Sequence, residues 1–306
     1  MSWTAALDRL DLSRTSDVLQ RVDLELYRDN VPGALALLER AHAATGEPQY
    51  LGRAQEIRSW LRHLTDPQAF VGMYEDFYHQ RRGLLRLKRL ERDLRILLGW
   101  KTSKTLKRVA RHPEFQLLEQ QVVTHRPARV LDAGCGEGRV AITLGSRHPD
   151  VQVTAIDASP TNVRIARRVN RFANVQVEQM LIERFSEKTA PGSFDLVYSF
   201  AVLEHVADLD DVMVRILGLL RPGGRFCFVV PMNDLTAVAP LPPFVARDGV
   251  LGHVRSFSES SLRASFGTYR DFELVKLPSP WRPERYPAGI VPVEFGAFFV
   301  AFSKGT

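Results

Sequence analysis

The stretch from Val130 to Gly138 reads Val-Leu-Asp132-Ala-Gly134-Cys135-Gly136-Glu137-Gly138, an apolar run that passes into a loop with glycine at every second position. Such glycines allow positive φ and a close approach of backbone to ligand, and in α/β sheets ligands sit beyond the carboxyl ends of the strands. A nucleotide-like cofactor is therefore expected here. The dinucleotide fingerprint Gly-x-Gly-x-x-Gly is missed by one residue, because Arg139 stands where its third glycine belongs. Asp132 and Glu137 place two carboxylates around the loop, which would repel a pyrophosphate and attract a ligand bearing an ammonium and a sulfonium. A positively charged nucleoside fits better than NAD.

The segment Val153-Thr-Ala-Ile-Asp157-Ala158-Ser159 supplies a second signal, an apolar strand that ends in an acid twenty-five positions after Asp132. That is about the separation at which such folds hydrogen-bond a ribose. Asp157, with Ala158 beside it, is thus expected at the ribose hydroxyls. An acid at a strand end also serves as a helix cap, but Ser159 ahead of Pro160 can take that task. Further on, Leu203-Glu204-His205-Val206 offers His205 as a general base, since an imidazole titrates near neutrality. The alternative is that His205 only hydrogen-bonds a neighbouring loop.

With these residues in hand, the chain resembles the class I S-adenosylmethionine-dependent methyltransferase family, in particular the branch that includes quinone-biosynthesis and sugar methyltransferases. The resemblance covers residues 128–302. It is also carried by Gly192-Ser-Phe194-Asp195-Leu-Val-Tyr198-Ser199 and by Leu220-Arg-Pro222-Gly223-Gly224. It implies S-adenosylmethionine as cofactor, with Gly134, Gly136 and Gly138 at its methionine end, Asp157 at the ribose and Phe200 facing the transferable methyl. Where many relatives place an acid for the adenine amino group this chain has Leu181, so the resemblance leaves adenine to backbone groups and to Met180, Leu181 and Ile182. Some relatives bind a divalent cation through Glu-x-x-Glu-His; Ala201 stands in place of the first glutamate, so no metal is expected. In relatives an aromatic helix ahead of the glycine loop often closes over the cofactor. Phe70, Tyr74, Phe77 and Tyr78 are the candidates here, with plain core as the other reading. His253 or Arg255, in a segment that precedes a late helix, could orient substrate or merely shape a turn.

The elements that must position these groups change character along the chain. From Thr15 to about Val123 apolar residues recur at helical spacing, as in Val18, Leu19, Val22 and Leu26, with breaks at Pro32-Gly33, Gly46-Glu47-Pro48, Asp66-Pro67 and His112-Pro113. Beyond Pro127, short β-rich runs alternate with helical segments, the pattern of a parallel sheet. Strands are expected at 129–133, 151–156, 175–179, 194–199, 225–231, 272–277 and 296–302. The last two follow each other without a helix between them, which predicts an antiparallel edge. The proline-rich run 278–287 between them reads as a loop over that edge. The predicted fold is α/β, a doubly wound, mostly parallel seven-stranded sheet (Rossmann-like) preceded by an all-helical region. The expected domains are 1–123 and 124–306.

Composition narrows the function further. At 306 residues with 45% hydrophobic and 25% charged residues, the chain has the make-up of a folded, water-soluble protein. No apolar run is long enough to span a bilayer, and the start lacks a secretory pattern, so a cytoplasmic location is expected. Two cysteines, Cys135 and Cys227, make no disulfide framework. Residues 81–111 hold twelve Lys/Arg against two Asp/Glu, suited to RNA, an acidic lipid surface or a phosphorylated substrate, or else simply a solvated helix face. The expected activity is methylation of a small molecule, at the oxygen of a sugar, quinone precursor or secondary metabolite. Two alternatives stand beside it: an RNA or other nucleic-acid methyltransferase, and a non-catalytic cofactor-binding regulator or scaffold.

Overall fold

The computed structural model describes residues 15, 18–19, 21–22, 31–65, 71–72, 102–206, 208–232, 257–278 and 296–305. Its elements are, in order, helices α1 (Val31–Thr45), α2 (Pro48–Thr65), α3 (Thr102–Val109) and α4 (Pro113–His125), followed by β1 (Arg129–Ala133), α5 (Arg139–Arg147), β2 (Gln152–Asp157), α6 (Pro160–Val169), β3 (Val175–Gln179), α7 (Ile182–Lys188) and β4 (Phe194–Phe200). A short 3-10 turn (Leu203–His205) leads to α8 (Leu209–Leu219), β5 (Leu220–Met232), α9 (Glu259–Phe266), β6 (Arg270–Pro278) and β7 (Gly296–Ser303).

The seven strands form one sheet in the order β3-β2-β1-β4-β5-β7-β6. Strands β1 to β5 run parallel, and β7 is antiparallel to both β5 and β6. The expected antiparallel edge is present, but the later strand is the inserted one and β6 lies outermost. A sheet covered on both faces reads as continuous apolar sequence with the faces sorted by a period of two. In β5, Phe226, Phe228 and Val230 enter one core with Leu131, Val197, Phe298 and Phe302, whereas Cys227 and Val229 enter the other with Val130, Tyr198 and Phe299. Helices α7, α8 and α9 cover the first face, and α4, α5 and α6 the second.

Phe115, Leu118 and Val122 of α4 are buried in the second core, with Leu106 and Val109 of α3 packed against it. The second core of the α/β unit thus draws on α3 and α4, from Leu106 onward, as well as on the helices that follow the strands. Helices α1 and α2 form a hairpin with its own small core of Ala34, Leu38, Tyr50 and Ile57, joined by Val18 and Val22. Gly46, at φ 71°, makes the turn between them, and Pro32 lies inside the first turn of α1 instead of ending a helix. The 278–287 loop beyond Pro278, the aromatics at 70, 74, 77 and 78, residues 253 and 255, and most of the basic run 81–111 lie outside the described residues.

Candidate cofactor and acceptor site

At the carboxyl ends of the parallel strands lies a cavity of about 480 Å³. Gly134, Cys135 and Gly136 from the loop after β1, Asp157 and Ala158 from the end of β2, Met180 and Leu181 from the end of β3, and Phe200 from the end of β4 all line it, with His205 on the 3-10 turn. Eight of the ten site residues expected from sequence line this cavity, and Asp132 and Gly138 do not reach its wall.

The glycine loop is held from two sides. The N–H groups of Gly134 and Cys135 both donate to the Ile156 carbonyl, at 2.9 and 2.8 Å, and the Gly136 N–H donates to Asp157 Oδ2 at 2.7 Å. Asp157 Oδ1 accepts from the Ser159 N–H at 2.9 Å and from the Asn162 side-chain amide at 3.3 Å. Ser159 caps α6 by accepting from the Asn162 N–H at 3.0 Å, with Pro160 in the first turn. The capping task thus falls to Ser159, and Asp157 presents a carboxylate that fixes the loop while lining the cavity. Gly134 adopts φ 95°, and a Cβ there would sit 2.3 Å from Val202 Cγ2, so glycine is required by both backbone and neighbour. Ala201, at φ 55°, turns the chain from β4 toward that valine, and its left-handed backbone is a local strain at the cavity wall.

Two expected residues lie behind the cavity wall. Gly138 adopts φ 73° at the start of α5, and a Cβ there would lie 2.8 Å from Ala166, so this glycine serves close packing of α5 against α6. Asp132 shares its strand face with Val130, beneath α5, and is buried; the Tyr198 hydroxyl donates to it at 2.8 Å and the Ala141 backbone also hydrogen-bonds it. Burial pushes the Asp132 carboxyl up to about 8, with the charge of Asp157 adding to the rise and the Tyr198 hydrogen bond opposing it. Glu137, for its part, accepts from Arg139 at 2.6 Å. Neither of the two carboxylates read from sequence as flanking the ligand lines the cavity: one is buried against Tyr198, and the other is paired with an arginine.

Negative charge at the cavity comes instead from Asp157, Glu183, Asp208 and Asp211, and no lysine or arginine occurs among the described lining residues. Of these, only Asp157 was legible as a site residue. Asp208 and Asp211 arrive from α8, where the Asp208 carboxylate caps the helix by accepting from the Asp211 N–H at 2.9 Å. Val71 adds an apolar contribution from ahead of the α/β unit. Such a donor set repels phosphates and suits a cofactor that carries a sulfonium and an ammonium. Glu204, next to His205, is buried with no hydrogen-bond partner for its Oε2, and burial pushes its carboxyl up to about 8. Asp195, in one of the segments that carry the sequence resemblance, lies at the opposite end of the sheet. There it accepts from the Ala128 and Arg129 N–H groups at 3.0 and 2.8 Å and from Arg221 at 2.6 Å.

Comparison with known proteins agrees with this geometry. The profile of a family described as a methyltransferase domain matches residues 124–255. A ubiquinone biosynthesis O-methyltransferase of Xanthomonas campestris pv. campestris (strain B100) is 33% identical over 167 residues, which is 51% of this chain and 68% of that protein. A trans-aconitate 2-methyltransferase of Deinococcus radiodurans is 36% identical over 115 residues, 37% of this chain and 42% of the relative. Several curated relatives are matched over only about half of their length, as with the 47% of a ubiquinone biosynthesis O-methyltransferase of Xanthomonas euvesicatoria. Among solved structures, a chain from the complex of the Haloferax volcanii Trm112 methyltransferase activator with a methyltransferase superposes with a TM-score of 0.50 at 14% identity, covering 70% of this chain and 97% of that one, a likeness of fold. The chain belongs to the class I S-adenosylmethionine-dependent methyltransferase family.

Proposed function

We propose that this protein transfers a methyl group from S-adenosylmethionine to an oxygen of a small, uncharged or cationic acceptor, such as a sugar, a quinone precursor or a secondary metabolite. The observation that carries the reading is the single cavity into which Gly134, Gly136, Asp157, Met180, Phe200 and His205 converge. When bound, the cofactor supplies an electrophilic methyl on a sulfonium, and the protein's part is positioning. Gly134 and Gly136 would take the methionine end, Asp157 and Ala158 the ribose, and Met180 and Leu181 the adenine. Phe200 would face the methyl side. His205 would accept the acceptor's hydroxyl proton. Alignment of the two reactants in a dry site can lower the barrier by about 7–11 kcal/mol, and a general base adds roughly 10²–10⁴-fold for a hydroxyl.

The four lining carboxylates oppose an acceptor that is itself an anion, which sets this cavity apart from one built for a polycarboxylate. The deciding experiment follows a radiolabelled methyl group from S-adenosylmethionine into a host-cell extract divided into small-molecule and nuclease-sensitive fractions. Label in the small-molecule fraction supports the proposal, and label released by ribonuclease refutes it. Asp157→Ala should weaken S-adenosylhomocysteine binding by about 10–100-fold, the loss of one or two hydrogen bonds to a charged group. Unchanged affinity would remove the ribose assignment.

A further inference from the structure

Three of the four carboxylates that line the cavity are engaged by donors of the protein itself. Asp157 accepts from the Gly136 and Ser159 N–H groups and from the Asn162 amide, Asp208 caps α8, and Asp211 Oδ2 accepts from Arg215 Nε at 2.6 Å. Glu183 differs. Its main-chain carbonyl accepts from the Ser186 hydroxyl at 2.7 Å and from Arg215 Nη1 at 3.3 Å, which fixes the first turn of α7. Its side chain takes no hydrogen bond and enters no ion pair with the described residues, because Arg215 gives its close contacts to Asp211 and Glu187 and acts on Glu183 only at longer range. A partly buried carboxylate in the cavity wall is thus left with its acceptor capacity unused. A ligand donor arriving there gains a charge-assisted hydrogen bond.

Met180, Leu181, Ile182 and Glu183 enter the wall as one continuous run, from the end of β3 into α7. On the placement of the cofactor proposed above, on which this inference rests, that run meets the adenine, whereas the methionine end lies with the glycine loop. The ring nitrogens that adenine presents are acceptors, and its exocyclic amino group is its donor. We infer that Glu183 accepts a hydrogen bond from the adenine 6-amino group and so selects the base that carries an amino group at that position. Leu181 has no acceptor in its side chain, and the first turn of α7 brings the next carboxylate to the same wall. Asp208 has one oxygen to spare, but it is exposed, and water satisfies a carboxylate there as well as a ligand does.

The test is calorimetric titration of the full chain with S-adenosylhomocysteine and with its 6-deamino analogue, in which hydrogen replaces the amino group. The wild type should prefer S-adenosylhomocysteine by about 10–100-fold, as expected for a hydrogen bond to a charged group. Glu183→Ala should bring the two within about threefold, by weakening S-adenosylhomocysteine and leaving the analogue as it was. Glu183→Gln, which keeps a neutral acceptor, should give an intermediate ratio. Leu181→Ala, measured alongside, should weaken both compounds alike by about three- to tenfold through lost apolar contact with the ring. Absence of any preference in the wild type, a preference that survives Glu183→Ala, an equal loss of both affinities in that variant, or a preference that disappears in Asp208→Asn instead would overturn the inference. If Leu181→Ala leaves both affinities unchanged, the base does not lie at β3 and the placement proposed above falls too; a response at Leu181 with the preference intact in Glu183→Ala removes the Glu183 assignment alone.

Discussion

Gly134→Ala is the substitution for which the structure gives the most detailed expectation. Its new Cβ would lie 2.3 Å from Val202 Cγ2, 3.0 Å from Cγ1 and 3.2 Å from Cβ, so no single rotation of the valine clears it. Two costs add. A non-glycine residue at φ 95° pays about 1–2 kcal/mol for the left-handed backbone, and displacing a packed side chain costs about 1–3 kcal/mol. The total, about 2–5 kcal/mol, should appear as a lowered urea midpoint at unchanged m-value. Because the same loop lines the cavity, S-adenosylhomocysteine affinity should fall at least tenfold by calorimetry. The second substitution, Val202→Ala, separates the terms. In the double variant the clash is gone and only the backbone strain remains, so it should recover about 1–3 kcal/mol relative to the sum of the single changes. Additivity within about 0.5 kcal/mol would show that Val202 does not press on Gly134, and the account of the loop would fall.

Three further expectations concern other parts of the chain. Burial moves Glu204 from 4.5 up to about 8, so between these values the folded protein keeps a proton that the unfolded chain has released, and stability falls as pH rises through that window. Glu204→Gln should therefore flatten the decline measured by urea unfolding at pH 5.5 and 7.5, by on the order of 2 kcal/mol, and an unaltered pH dependence would contradict it. Arg225 is 1% exposed and donates to Gln121 at 2.8 Å, to the Asp271 carbonyl at 2.7 Å and to Glu273, whose own side chain is 46% exposed. Glu273→Ala should then destabilise by about 2–4 kcal/mol, more than Arg225→Met, because the first strands a buried guanidinium while the second leaves a carboxylate that water can reach; the reverse order in thermal unfolding would refute this. His205→Ala should lower turnover of a hydroxyl acceptor by about 10²–10⁴-fold while leaving S-adenosylhomocysteine affinity within a few-fold, and an equal loss in both would make the histidine a positioning residue only.

The glycine loop and Asp157 were legible because each is tied to a local pattern, a strand that ends in a turn of small residues or in an acid. All seven strands fall within a few residues of their expected places, since sheets buried on both faces leave long apolar runs. The largest departure is β5, which starts at Leu220 instead of 225; a register shift in its pairing with β4 admits Pro222 and Gly223 into the strand. What the sequence concealed is orientation. Asp132 is adjacent in sequence to the site but its strand face turns it under α5, and Glu137 is claimed by the arginine two residues on. Asp208 and Asp211 reach the cavity from a helix fifty residues beyond Asp157, a juxtaposition created by the crossover between β4 and β5 and by nothing local. The Arg225 cluster, drawn from α4, β5, β6 and β7, was hidden for the same reason.

The place of β7 has a consequence for how the chain folds. β6 precedes it in sequence, yet among the described residues β6 pairs only with β7, and it joins the rest of the sheet through the pairing of β7 with β5 along Arg225 to Met232. β6 can therefore join the sheet only together with, or after, the strand that follows it. Until β7 arrives, β5 is an open edge with Phe226 and Phe228 on it, the kind of flat apolar margin that recruits strands from other molecules. Once seated, β7 closes that margin and, through Ser303, joins the arginine cluster that ties the outer strands to α4. Late, long-range docking of this kind predicts slow formation of the outer sheet relative to the β1–β4 half, and a narrow interval in folding when the protein is prone to aggregate.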